Sequence, residues 1–194
     1  MPQIARESLL TLEAYARQRD AYRVDIIAHK KRRTLNLGEH VTLQFEDERT
    51  IRYQIQEMLR IERVFEEQGI QGELDAYNPL VPDGSNLKAT MLIEYPDADE
   101  RQLRLRELKG LQRCVWLRVG TGPKVRPIAD EDLERENDEK TSAVHFLRFE
   151  LDEAARRELK QGAALSAGVD HRAYRADTGP LPEEVRACLA RDIA

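Results

Sequence analysis

The stretch from His40 to Tyr95 constrains the fold more than any other, because it reads as strand, helix, structured loop and strand in succession. Asp47 or Glu48 can cap the helix, and an acidic start suits the positive end of a helix dipole. The pattern predicts a helix from about Arg49 to Glu67, with Gly69 as its stop. At helical spacing Ile51, Ile55, Met58, Glu62 and Phe65 form one stripe, flanked by Leu59 and Ile61. Glu62 is therefore expected to point towards the core. A carboxylate there must be paired, hydrogen-bonded, protonated or metal-bound. Two readings stand: an arginine partner or an edge position reaching solvent, and a metal ligand or acid–base group.

Before this stretch, Ser8 can cap a long helix over Leu9–Arg33. One stripe of it carries Leu9, Leu12, Ala16, Val24 and Ile27; a second carries Tyr15, Tyr22, Ile26 and His29. Two such stripes predict a helix contacted on two sides, by its own core and by a partner. Thr34–Glu46 reads as a hairpin around Gly38–Glu39, with Val41, Leu43 and Phe45 inward and His40 exposed or at the sheet rim.

The loop AYNPLVPDGSN, Ala76 to Asn86, carries strong turn signals, and Leu87–Tyr95 follows as a strand covered on both faces. A surface helix ends at Gly110, and Cys114–Val119 is a strand whose short partner is Val125–Ile128. Ala129–Lys140 is acidic and poor in apolar residues, as in a solvated helix or flexible segment. Ala143–Leu151 is the clearest strand, with His145, Leu147 and Phe149 on one face and Val144, Phe146 and Arg148 on the other. Asp152 caps a short helix, Leu165–His171 reads as the last strand, and a terminal helix begins at Pro182. This order predicts one α+β domain over residues 1–194, with a single mixed, mainly antiparallel sheet backed by long helices.

The chain has 194 residues, 35% of them charged, and a net charge of −5. No apolar run approaches the length needed to span a bilayer, and no secretory signal is visible at the N-terminus. Cys114 and Cys188 stand apart, outside any CxxC pair, which fits a reducing cytoplasm. The mild negative charge argues against a general nucleic-acid binder. Phosphate-loop, dinucleotide, zinc-protease and serine-hydrolase motifs are absent, so those chemistries have no support.

The phrases YQIQEMLRIERVF, AYNPLVPDGSNLKATMLIEYPD, EKTSAVHFLRFEL and GVDHRAYR resemble an uncharacterised bacterial family, domain of unknown function 3501, over nearly the whole chain. The resemblance carries no activity and no catalytic residue. It implies a setting beside rubrerythrin-like di-iron proteins and iron–sulfur oxidoreductases, and thus an accessory role in peroxide defence or electron transfer.

Three functional readings follow. A redox accessory would hold iron or zinc through His29, His40, His145, His171 and Glu62, with His145 and His171 on adjacent strands as the easiest pair. The alternative for His145 is a satisfied core histidine. A binding protein would use an exposed patch along Tyr15, Tyr22 and Ile26, for a redox protein partner or for a homodimer. An enzyme on a small ligand would combine Glu62, His145 and Arg148 with Asn78, Asp83 and Asn86 of the loop.

Overall fold

A computed structural model describes residues 4–194. The first long helix, α1 (Leu12–Lys31), begins at Thr11, whose side chain accepts the Ala14 amide; residues 6–8 form a separate short turn. Strands β1 (Thr34–Leu37) and β2 (Val41–Phe45) make the expected hairpin. Its loop has three residues, because Leu37 pairs with Val41 and His40 completes the turn. Gly38 there has φ of 73°, and a Cβ on it would lie 2.6 Å from the Tyr174 hydroxyl. Glycine is thus required both by backbone and by space.

Helix α2 (Glu48–Glu62) starts with a capping box, in which Asp47 and Thr50 each accept the other's backbone amide. It ends a turn earlier than the sequence pattern predicts. Arg63 adopts a left-handed conformation, φ of 55°, and reverses the chain into α3 (Glu67–Tyr77). Gly69 is therefore not a stop but lies inside α3, where a Cβ would come within 2.6 Å of Val64. The early end also corrects the expected stripe. Ile51, Ile55 and Leu59 are buried, whereas Glu62 and Phe65 are exposed.

After a short turn at Asn78–Leu80 come β3 (Asn86–Ile93), α4 (Ala98–Glu107), α5 (Leu111–Cys114) and β4 (Val115–Val119). The chain continues through β5 (Ile128–Ala129), β6 (Val144–Glu150), α6 (Glu153–Lys160), β7 (Leu165–His171), β8 (Tyr174–Pro180) and α7 (Glu183–Ala190). Every strand pairing is antiparallel, and the class is α+β. The strands form two sheets where one was expected: β1-β2-β3-β6-β5 and β4-β7-β8. Strand β8 escapes the sequence reading because YRADTGP has no apolar run; it is an edge strand, where a terminal proline costs no ladder bond.

The main core unites the two sheets. Leu43, Phe45, Met91 and Phe149 from the larger meet Leu117, Leu165 and Val169 from the smaller. Tyr174 ties them further, donating its hydroxyl to Leu37 O at 2.6 Å. A second core joins Ile4 and Leu9 to Ile51, Ile55 and Leu59 of α2 and to Ile70 and Leu74 of α3.

Helix α1 is fastened to α2 by polar contacts. Glu57 accepts from the Tyr15 hydroxyl at 2.7 Å and from Arg19 through both carboxylate oxygens at 2.8 Å. At the other end Arg33, 1% exposed, donates to Phe45 O, Glu46 O and Asp192 and lies 3.4 Å from Asp47. Burial opposes charge on Asp47, but Arg33 and the Thr50 amide outweigh it and hold the carboxyl below its usual range.

Candidate functional site

The alternation of β6 decides which predicted residues can meet. His145 and Leu147 point into the main core, while Phe146 and Arg148 point to the outer face of the larger sheet. Across the ladder Lys88 opposes Arg148 and Thr90 opposes Phe146, so these four share the outer face. Above it stand Met58 of α2, Glu73 and Tyr77 of α3, and Leu80 of the turn that follows. The segment containing Glu131 and Arg135 closes one side. The result is a cleft of about 710 Å³, within the range usual for small-molecule sites.

Phe146 gives its floor an apolar surface, and the charges around it are largely paired. Arg148 donates to both oxygens of Glu131, at 2.7 and 2.6 Å, and to Glu150. Arg135 lies 4.5 Å over the Phe146 ring and pairs with Asp130 and Asp132. Lys88 donates to Pro79 O at 2.5 Å and Val81 O at 3.0 Å, and burial pushes its ammonium pKa down. Glu46 is the carboxylate that is buried next to α2, the situation expected of Glu62. It accepts from Thr50 at 2.5 Å and Thr90 at 2.7 Å. Glu73 differs from all of these. Burial first, and the Glu62 charge second, raise its pKa, and among the described residues no cation offsets them.

The structure separates the predicted ligand set. Arg148 lines the cleft; Glu62 is exposed at the end of α2 and reaches it only through its field on Glu73. His145 is on the wrong face of β6. Asn78 instead binds the backbone of Ile4, through its N–H at 2.8 Å and its carbonyl at 3.2 Å. Asp83 accepts the Ser85 amide and hydroxyl and so shapes the turn. Asn86 is buried and donates to Glu150 at 2.9 Å, which links it indirectly to Arg148.

The proposed metal set does not converge. Among the described residues no group of three or more His, Cys, Asp or Glu side chains is placed to hold a metal. His145 contacts Asp130 through Nδ1 at 2.6 Å, and Thr141 and Ser142 O through Nε2 at 2.9 and 3.0 Å: a satisfied core histidine. His171 belongs to the other sheet, where it receives the Ala173 amide and contacts Lys109 O. His29 lies 2.6 Å from Asp47 and 3.4 Å from Arg49. His40 contacts Glu94 O at 3.0 Å and stacks on Tyr95.

The interface patch is corrected too. Tyr15 and Ile26 are fully buried against their own chain, and Tyr22 stacks on Tyr53 of α2. The other α1 stripe supplies the exposed residues, Val24 and Ile27. The acidic segment is neither helical nor loosely attached: Asp130 accepts the Phe146 amide at 3.0 Å and Glu136 the Gly110 amide at 2.6 Å.

Sequence reasoning missed Lys88, Phe146, Arg135 and Glu73. One signal was visible: Phe146, a large aromatic on the strand face opposite the core, needed something to cover it.

Fold and cleft together define an antiparallel two-sheet α+β protein with a ligand-sized cleft on the outer face of its larger sheet. The chain matches, over residues 3–193, the family described as "Protein of unknown function (DUF3501)", and it belongs to that family. A crystal structure from Burkholderia pseudomallei K96243, described as a novel protein of unknown function, is 55% identical, with 100% of each chain covered and a TM-score of 0.95. Among curated proteins none matches. No described helix is long and apolar enough to cross a membrane.

Proposed function

We propose that this protein is a cytoplasmic binding protein that holds a small, partly apolar ligand in the cleft between α2–α3 and the outer sheet face. The observation that carries this reading is the cleft itself: about 710 Å³, floored by Phe146 and roofed by Met58, Tyr77 and Leu80. Binding is favoured over reaction because, Glu73 apart, the charged groups of the wall are committed to one another or to hydrogen-bonding partners. A group held in that way positions a ligand without being free to exchange protons with it. Within this reading, the redox setting implied by the family resemblance makes the protein an accessory to rubrerythrin-like and iron–sulfur oxidoreductase partners, with the ligand as its signal or cargo.

The test uses a neutral fluorescent reporter, N-phenyl-1-naphthylamine. Wild-type protein is expected to bind it saturably at one site. Ala76→Trp, at an exposed α3 position on the cleft wall, puts an indole ring into the cleft and is expected to weaken the signal strongly. Absence of saturable binding, or equal binding by a folded Ala76→Trp variant, would overturn the reading.

A further inference from the structure

We propose that the ligand of this cleft is a small organic cation, with an apolar body lying over Phe146 and an ammonium end directed to Glu73. This rests on the cleft being a binding site and adds the chemical class of what it binds.

The argument is an accounting of charge along the wall. Glu131 is used by Arg148, and Asp132 by Arg135. Asp75 accepts from Gln71 at 2.7 Å, and Glu46 from two threonines. On the cationic side, Arg148 and Arg135 have their carboxylates, and Lys88 is held by two backbone carbonyls. Glu73 remains. Among the described residues it has neither a cation nor a hydrogen-bond donor, and Glu62 of the neighbouring helix adds a second negative charge beside it.

A carboxylate at the edge of an apolar cavity, with a second negative charge nearby, is costlier to ionise. A bound ammonium would relieve that cost, and a bound carboxylate would add to it. The raised Glu73 pKa has the sign expected for such an uncompensated pair. The cleft also supplies apolar contact, from Phe146, Met58 and Leu80. The cleft volume limits the ligand to small-molecule size. An amphiphilic amine satisfies all of these features, whereas an anionic amphiphile would have to displace a carboxylate or a carbonyl from a cation already satisfied.

The experiment is displacement of bound N-phenyl-1-naphthylamine by decylamine, 1-decanol and decanoate, which share one tail. All three are kept below their aggregation thresholds. Decylamine is expected to displace the reporter at a concentration roughly tenfold below that of decanol, as one charge-assisted hydrogen bond would give. Decanoate is expected to be the weakest. In Glu73→Gln, at a half-exposed helical position, decylamine should displace the reporter no better than decanol. Glu62→Gln should reduce the preference for the amine in part. The proposal is overturned if decylamine is no better than decanol, if decanoate is preferred, or if the preference survives in Glu73→Gln. Each of those results leaves the reporter bound and the binding reading intact; failure of the reporter itself sinks both.

Discussion

Replacing Glu57 with glutamine keeps the shape of the side chain and removes its charge, so it isolates the ion pair that fastens α1 to α2. The carboxylate accepts from the Tyr15 hydroxyl and from Arg19 through both oxygens, with Arg60 farther off at 3.4 Å. Arg19 chiefly, helped by the Tyr15 hydroxyl and Arg60 against the cost of burial, lowers the Glu57 pKa from 4.5 to about 2. That difference sets a ceiling of about 3 kcal/mol on the charge-dependent stabilisation. Glu57 is 14% exposed and Arg19 29%, so water screens part of the pair and about 2 kcal/mol is expected. In a domain of this size that corresponds to a fall in Tm of roughly 4–8 °C.

The pH dependence gives the sharper check. A carboxyl whose folded pKa is depressed contributes stability that is complete above the unfolded value of 4.5 and is lost as pH falls through about 2. The gap between wild type and Glu57→Gln, followed by urea denaturation with circular dichroism at pH 7, 5 and 3.5, should be constant between the first two and narrower at the third. A gap below about 0.5 kcal/mol at pH 7 would place the pair among ordinary surface bridges and refute the reasoning. So would a gap that does not shrink on acidification.

Arg33→Met strips the cation from Asp47 and Asp192 while leaving both in place, and should cost about 3–5 kcal/mol in urea unfolding. Asp130→Ala loses the acceptor for His145 and the Phe146 amide and puts alanine at φ of 54°. Hydrogen exchange should accelerate along β5 and β6, with little change in β7. Gly168→Ala sets a Cβ against the Trp116 ring and 2.5 Å from Ala176 O, and should destabilise by about 1–3 kcal/mol in the same unfolding assay. Elemental analysis of untagged protein, expressed with iron supplied, should return far less than one iron or zinc per chain, because the four histidines are each held by other groups.

What could be read from the sequence was whatever depends on a short period. The alternation of Val41, Leu43 and Phe45, and of His145, Leu147 and Phe149, fixes which face is buried without knowledge of the partner strand. What could not be read depends on single backbone choices and distant contacts. The helical stripe through Ile51, Ile55 and Leu59 continues numerically to Glu62, but Arg63 turns the chain before the next turn of helix can form. Gly69 looks like a stop because glycine often is one; its reason for being there is the approach of Val64, which no local pattern records. The Tyr15, Tyr22 and Ile26 stripe was correctly apolar, and its partner is α2 of the same chain. The cleft was visible only as an aromatic on the wrong face of a strand.

Position 146 also explains why the two faces of one strand divide the labour of this fold. Inside, every polar group along β6 is matched: His145 has Asp130, Thr141 and Ser142, and nothing is left over to act on a ligand. Outside, one residue along, Phe146 is covered by a guanidinium and a cavity instead of by a packed helix. Asp130 belongs to both sides, since it fixes His145 through one oxygen and the Phe146 amide through the other. Loosening that carboxylate would therefore disturb the inner histidine and the wall of the cleft together.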